Sequence, residues 1–274
     1  MGGSLTVSER IWRAVLWAGA CTTFFFLLAP IIAILPLSLN DGQFLTYPMR
    51  GLTLRWYEEF FTSPRWALSI RNSFFIGASS AVLATTLGTM AALGLSRAQV
   101  PGHRAIMAVL LSPLIVPVVI YAVGLYFFFA PLGLTASYAG LIFAHTALGA
   151  PFVVITVLAS LAGFDWNLAR AGASLGAGPL TVAFKVIFPL ILPGMISGAL
   201  FAFATSFEEV VVILFIAGPE QRTIPREMFS GLRENISPTI AAAATVLVVL
   251  SIALLTSVEL LRRRGERLRG VSQA

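Results

Sequence analysis

The sequence predicts an all-α integral membrane protein with six transmembrane helices. Its 274 residues are 58% hydrophobic and 11% charged, and its mean hydropathy is +0.90. Soluble domains carry about 25% charged residues, so this composition excludes a water-soluble globular class. A helix that crosses a bilayer needs about 20 predominantly apolar residues, and six such stretches fill the chain. We therefore expect residues 1–274 to form a single transmembrane domain.

The six stretches follow one another with mostly short connections. They cover residues 11–39, 70–95, 105–130, 138–161, 190–216 and 239–261. The first stretch follows Arg10 and Arg13, as a signal peptide would, but its apolar run is too long for a cleavable core, which predicts an uncleaved anchor. The third contains Pro113 and Pro117, which predict a bend because each proline removes a backbone donor.

The basic residues predict the orientation of the spans. If the spans alternate, one side of the membrane receives Arg10, Arg13, Arg97, Arg104, Arg170, Lys185 and the tail 262–269. Arginines on the other side are balanced by acidic residues, so the positive-inside rule places both termini in the cytoplasm. Much of the net charge of +6 lies in the tail beside the last span, which indicates an anchor for lipid headgroups rather than a nucleic-acid site.

Two segments on the outer side are long enough to bind a partner. The first covers about residues 40–69, and its run Leu54–Phe61 mixes aromatic and charged side chains, which predicts a short helix at the membrane interface. The second covers about residues 218–238 and carries charged residues between Pro225 and Pro238. Each segment is either a docking surface for a soluble partner or a solvated connector.

A long cytoplasmic segment, about residues 162–188, has the pattern of two short helices. Asp165 is placed to cap the start of the first helix, and Gly176 is placed to end it. The small residues Ala169, Ala171, Gly172 and Ala173 leave little side-chain bulk, so this helix could lie deep in a groove of another protein. The alternative is an ordinary glycine-rich loop.

Glu208 and Glu209 form a charged cluster within the fifth apolar stretch, toward its outer half. A carboxylate at the bilayer centre costs about 3 kcal/mol, so the pair needs compensation. Carboxylates beside aromatic rings can hold an ammonium or guanidinium group, which makes Thr205, Phe207, Glu208 and Glu209 a candidate translocation pathway. The alternative is a structural pair satisfied by a neighbouring donor.

The sequence lacks the phosphate-binding loop of a nucleotide-hydrolysing chain. Lys185, the single lysine, is not part of a glycine-rich loop of that kind. No cluster of potential ligands has metal-site spacing, and His145 is expected to be packed or hydrogen-bonded. We therefore expect a non-catalytic chain without a cofactor of its own, so that any ATP-driven work needs another subunit.

The cytoplasmic segment resembles the loop by which permease subunits of bacterial ABC importers grip their ATPases. That family's pattern is Glu-Ala-Ala, a glycine four residues later, and a closing Ile-x-Leu-Pro. The corresponding positions here are Arg170, Ala171, Gly172, Gly176 and residues 186–189, which end at Pro189. The spacing is intact, although Arg170 replaces the glutamate and Gly172 replaces the second alanine.

Within that superfamily, the chain is most similar to polyamine (spermidine/putrescine) permeases. The residues that carry the likeness are Leu54-Arg55-Trp56-Tyr57, Ser206-Phe207-Glu208-Glu209-Val210-Val211, Gly218-Pro219, Thr223-Ile224-Pro225, Met228-Phe229 and Glu234-Asn235-Ile236-Ser237-Pro238. The likeness implies a type I ABC importer permease fold in the bacterial inner membrane and a path for a small, cationic solute such as a polyamine.

The likeness also implies partners. These are a second permease subunit in a heterodimer, two cytoplasmic ATP-binding subunits that use ATP and Mg²⁺, and a periplasmic substrate-binding protein. Two alternatives stay open at this point. Related permeases serve opines and amino-acid-like compounds, and a stand-alone secondary transporter would show inverted repeats and polar broken helices near mid-membrane.

Overall fold

The structure, a computed structural model, describes residues 6–49, 51–96, 100–234 and 237–268. Within these ranges the chain forms α-helices joined by turns, with one isolated antiparallel bridge between Asn40 and Leu52. The helices are α1 (Val7–Leu37), α2 (Arg55–Thr62), α3 (Pro64–Ser96), α4 (His103–Ile115), α5 (Val118–Phe129), α6 (Tyr138–Ala162), α7 (Trp166–Ser174), α8 (Pro179–Val182), α9 (Phe188–Glu208), α10 (Val211–Ile216), α11 (Ile224–Glu234) and α12 (Pro238–Leu268).

The described part of the chain does not include Arg97, Asn235, Ile236 and Arg269. Within α12, the side chains of residues 261–268, which include most of the basic tail, are also outside the description.

Six apolar spans are present in the described residues if a bent pair of helices counts as one span. Five continuous helical segments are long and apolar enough to cross a membrane: Val7–Leu37, Pro64–Ser96, Tyr138–Ala162, Pro179–Glu208 and Pro238–Leu260. The sixth is the pair His103–Ile115 and Val118–Leu132, which is bent by 108°. The predicted all-helical membrane fold is confirmed, and one span is broken.

The break in the third span lies at Pro117. Val116 is extended, with φ −68° and ψ 130°, because the ring of a following proline disfavours the helical region. Pro113 lies inside α4 without ending it. The predicted bend is therefore real, but it takes the form of a change in direction between two separate helices.

The fifth span differs from the predicted stretch 190–216 at both ends. It begins at Pro179, passes through a π-helical turn at Ala183–Ile187 and stops at Glu208. In that turn the N–H of Phe188 donates to the carbonyl of Ala183, five residues back. Pro189 has no N–H and its ring would crowd the carbonyl four residues earlier, and the wider turn relieves that conflict.

Contacts divide the chain into two compact units, residues 63–230 with 249–274 and residues 1–62 with 231–248. In the larger unit, α3, α6 and α9 pack against one another. Small residues allow this close approach. A Cβ atom at Gly149 would lie 2.8 Å from Cβ of Ala202, and one at Gly198 would lie 2.8 Å from Cα of Val153.

The smaller unit contains α1 and α2. No residue of α1 is buried within the chain, so its apolar surface is available to lipid or to another protein. Trp56 of α2 is buried and its indole N–H donates to the carbonyl of Asn40 at 2.7 Å. The hydroxyl of Tyr57 lies 2.7 Å from that of Ser38. The short helix predicted within 54–61 is confirmed as α2.

Replacing Gly198 with alanine should destabilise the larger unit. The added methyl group would meet the hydroxyl of Thr156 and the Cα of Val153 in α6. The backbone atom cannot move away as the end of a side chain can, and overpacking of this kind costs about 1–3 kcal/mol. Gly124→Ala is the matched control, because nothing lies within 4 Å of a Cβ there. Melting temperatures of the detergent-purified variants measure the effect, and equal melting of the two would contradict the packing described.

Candidate functional site

The two adjacent carboxylates lie at an interruption of the fifth span. Helix α9 ends at Glu208, Glu209 is extended with φ −73° and ψ 123°, and α10 begins at Val211. The Oε1 atom of Glu209 accepts the N–H of Val212 at 2.9 Å. Because the first N–H groups of a helix have no partner within it, this carboxylate satisfies a backbone donor that the break leaves free.

Glu208 has a different environment from Glu209. Its side chain is exposed within the chain, and its Oε1 atom accepts a hydrogen bond from the hydroxyl of Ser251 in α12 at 2.7 Å. Its other carboxylate oxygen has no hydrogen bond within the described residues. The pair therefore divides into a half-buried carboxylate bound to backbone and an exposed carboxylate bound to a hydroxyl group.

The aromatic residues near the pair form a packed cluster. The rings of Phe203 and Phe207 stack with centroids 5.3 Å apart, and Phe74 of α3 meets Phe207 edge-on at 5.1 Å. Phe207 is only 3% exposed, so its ring is part of the packed interior. Phe203 and Thr205 are half-buried. Of the four residues in the candidate pathway, Glu208 is the most accessible.

A buried polar pair lies one turn before the break. The Nδ1 atom of His145 in α6 is 2.7 Å from the hydroxyl of Ser206 in α9, which confirms the expectation of a hydrogen-bonded histidine. The hydroxyl of Tyr121 in α5 donates to the carbonyl of Ala144 at 2.7 Å. Sequence reasoning did not assign a role to Ser251 or Ser206, because a hydroxyl in an apolar helix gives no signal of its partner.

The cytoplasmic segment has the two-helix form predicted from its caps. Asp165 accepts the N–H of Asn167 at 2.9 Å and so caps α7. After α7, Gly176 adopts φ +85°, a left-handed conformation that favours glycine. Leu175 is 89% exposed, and Ala171 and Gly176 are exposed as well. The segment thus presents small and apolar residues to its surroundings.

A groove of about 740 Å³ lies beside α7. Its walls are mostly apolar, with Trp166 and Val182 among them, and Arg170 is the one charged residue that lines it within the described chain. An N–H of Arg170 donates to the side-chain oxygen of Asn167 at 2.5 Å. A Cβ at Gly172 would make ordinary contact with Val182 at 3.4 Å, so the alanine of the family pattern would also fit.

The 218–227 loop is held by polar contacts. The side-chain amide of Asn72 in α3 donates to the carbonyls of Glu220 and Arg222, at 2.7 and 2.8 Å. Glu227 is 2% exposed and forms an ion pair with Arg65, while Arg222 approaches it at 3.5 Å. A buried charge needs such partners, so this loop has a defined conformation against α3.

Comparison with known proteins gives consistent matches over most of the chain. The family model described as binding-protein-dependent transport system inner membrane component matches residues 84–267. The spermidine/putrescine transport system permease protein PotC of Haemophilus influenzae is 31% identical over 242 residues, which cover 88% of this chain and 94% of that protein.

Two further matches agree with these. The putrescine transport system permease protein PotI of Escherichia coli K12 is 31% identical over 252 residues, covering 89% of this chain and 88% of that protein. A chain in the crystal structure of a bacterial ABC transporter involved in the import of the acidic polysaccharide alginate has the same fold. It gives a TM-score of 0.72 at 16% identity and covers 94% of this chain and 99% of its own length.

Glu209→Ala should destabilise the junction between α9 and α10, because it removes the acceptor for the N–H of Val212. The expected cost is about 1–2 kcal/mol, as for loss of a helix cap. Glu209→Gln is the matched control, since its amide oxygen can still accept that N–H. A lower melting temperature for the alanine variant alone is the expected result. If both variants melt like the unchanged protein, the carboxylate does not hold α10.

Proposed function

Since the chain belongs to the family of binding-protein-dependent transport system inner membrane components, we propose that it forms half of the translocation pathway for a small organic cation of the polyamine type. It is a membrane subunit of an ABC importer and crosses the inner membrane several times. The names of two relatives that are 31% identical, permeases for spermidine/putrescine and for putrescine, support this substrate class.

The observation that carries the proposal is the carboxylate pair at the break in the fifth span. Two adjacent carboxylates at the end of a membrane span are costly and need a role. Glu209 has a structural one, because it accepts the N–H of Val212. Glu208 is exposed within the chain, and Ser251 binds one of its oxygens. In our proposal its other oxygen receives an ammonium group of the passing cation.

The surroundings of Glu208 suit transient binding of a cation. Ser251 fixes the orientation of the carboxylate but leaves part of its hydrogen-bonding capacity free. The ring of Phe203 on the same helix is half-buried and stacks on Phe207. In this proposal one accessible carboxylate binds a polyamine weakly enough to release it. Thr205 and Phe207 contribute to the wall of the pathway in this proposal, Phe207 by packing behind Phe203.

We propose that the cytoplasmic segment transmits the work of an ATP-binding partner. Its contact residues are Arg170, Ala171, Gly172, Gly176 and Pro189, most of which are exposed along α7 and the turn after it. The partner subunits bind ATP and Mg²⁺ and hydrolyse the ATP, while this chain binds no cofactor. The complete transporter in this proposal contains a second permease subunit, two ATP-binding subunits and a periplasmic substrate-binding protein.

Orientation follows from the positive-inside rule. We propose that both termini and the segment 162–188 face the cytoplasm, and that residues 40–69 and 218–238 face the periplasm. Each of the two periplasmic segments can then supply contacts to the binding protein. The fixed conformation of the 218–227 loop supports such a role, because a preorganised surface loses less conformational entropy on binding.

Cells that express the whole transporter, and lack other polyamine importers, should accumulate radiolabelled putrescine or spermidine. Glu208→Gln should lower the uptake rate about tenfold, which corresponds to 1.4 kcal/mol of lost interaction with the cation. Glu209→Gln keeps the acceptor for Val212 and should have a smaller effect. Absence of polyamine uptake by the unchanged transporter would overturn the substrate class, and normal uptake by Glu208→Gln would remove Glu208 from the pathway.

Single cysteines introduced in a Cys21→Ser background test the orientation. A membrane-impermeant thiol reagent added outside sealed spheroplasts should label a cysteine at Thr62 and leave one at Ser174 unlabelled. Opening the membrane should expose the second cysteine to the reagent and so provides the positive control. Labelling at position 174 from outside would reverse the proposed topology.

A further inference from the structure

Arg170 is an oriented cation at the edge of an apolar groove. Its side chain is exposed and lines the groove of about 740 Å³ beside α7, and Asn167 accepts one of its N–H groups at 2.5 Å. A guanidinium group has five N–H donors, so most of them stay free. Within the described part of the chain, no carboxylate forms an ion pair with Arg170.

Nearby acidic groups do not compensate for this charge. Asp165 is the acidic residue of the segment 162–188, and its carboxylate already accepts the N–H of Asn167 at the start of α7. The other groove-lining residues around Arg170 are apolar or small, for example Ala169, Ala173 and Ile187. A protein surface that covers the groove would therefore remove water from Arg170, and Asp165 would not compensate for the charge of the guanidinium group.

We propose that the ATP-binding partner presents an Asp or Glu carboxylate to Arg170 when it covers this groove. An arginine that loses water in an interface needs acceptors, and a carboxylate matches its planar fork with two parallel hydrogen bonds. Charge complementarity thus identifies the occupant as an acidic site on the partner, flanked by apolar side chains that fit the groove walls. The inference rests on the proposed coupling role of the segment 162–188.

The inference concerns recognition between subunits. The family pattern has a glutamate where this chain has Arg170. The side chain at this position is therefore positively charged here and negatively charged in the pattern. An ATP-binding subunit with a cation at this contact would face like charges across a desolvated interface, which disfavours the wrong partner. Arg170 would therefore select among ATP-binding subunits as well as strengthen binding to the correct one.

The test uses the purified transporter with its own ATP-binding subunits. Arg170→Glu and Arg170→Gln are compared with Lys185→Glu, which reverses the charge of an exposed residue in the same segment that does not line the groove. Titration of the ATP-binding subunit into the membrane subunits, at low and high salt, gives the affinity, and substrate-stimulated ATP hydrolysis gives the coupling. Size-exclusion profiles verify that each variant is folded.

Arg170→Glu should weaken binding at least about tenfold, as expected for a charge pair in an interface, and Lys185→Glu should change it much less. Arg170→Gln should be intermediate and should lower the salt dependence. Reversing surface carboxylates of the ATP-binding subunit to arginine, one at a time, should then identify one change that restores binding to Arg170→Glu and weakens binding to the unchanged chain.

Three results would overturn the inference. The first is an unchanged affinity of Arg170→Glu for the ATP-binding subunit. The second is the failure of every charge reversal on that subunit to restore binding. The third is a loss of binding in Arg170→Glu that appears only in the presence of anionic lipid. The last would assign Arg170 to lipid headgroups. If the unchanged membrane subunits bind no ATP-binding subunit at all, the proposed coupling function itself is wrong, and this outcome is distinct from the other three.

Discussion

Backbone hydrogen bonding inside the bilayer is the constraint on which the arrangement of this chain depends. A lipid-exposed N–H or carbonyl group without a partner costs several kcal/mol, so each interruption of a membrane helix must be satisfied from within the protein. At the break after α9, the carboxylate of Glu209 accepts the N–H of Val212. Before Pro189, a wider turn lets Phe188 donate to Ala183. The polar and irregular features of the fifth span are local solutions to this constraint.

The same constraint explains how the larger unit combines close packing with polar groups. Glycine and alanine let α3, α6 and α9 approach closely, which is how membrane helices gain contact without a hydrophobic driving force between them. Hydroxyl and imidazole groups then find partners across helices, as Ser206 does with His145. At one end of the unit, Asn72 binds two carbonyls of the 218–227 loop. Packing and polar contacts therefore fix the same helix interfaces.

The parts of the fold that depend on local chemistry could be predicted from the sequence. Apolar length predicts the spans, because crossing a bilayer requires a certain number of residues whatever the tertiary structure. Asp165 and Gly176 predict the ends of α7, because helix caps act within a few residues. The end of the fifth span at Glu208 was not predicted, since hydropathy continues through Val210 and α10 and does not reveal a side chain that caps the next helix.

The candidate site was harder to predict for a related reason. Ser251 is 43 residues from Glu208, and no spacing rule connects a serine in the last span with a glutamate in the fifth. Phe207 adjoins the carboxylates in the sequence, but adjacency in a helix does not set the direction of a side chain, and its ring lies in the packed interior. Three-dimensional packing decides which side of the helix faces open space, and a sequence contains that information only indirectly.

Adjacent identical residues acquire different chemistry here because the backbone changes conformation between them. In an unbroken helix, Glu208 and Glu209 would project about 100° apart, and both would depend on neighbouring side chains for compensation. The break lets one carboxylate serve the backbone that the break itself leaves unsatisfied. The other does not serve the backbone: it is exposed within the chain and accepts a hydrogen bond from Ser251 of α12. The interruption of the helix thus leaves a backbone N–H that Glu209 accepts, and it places Glu208 at the end of α9.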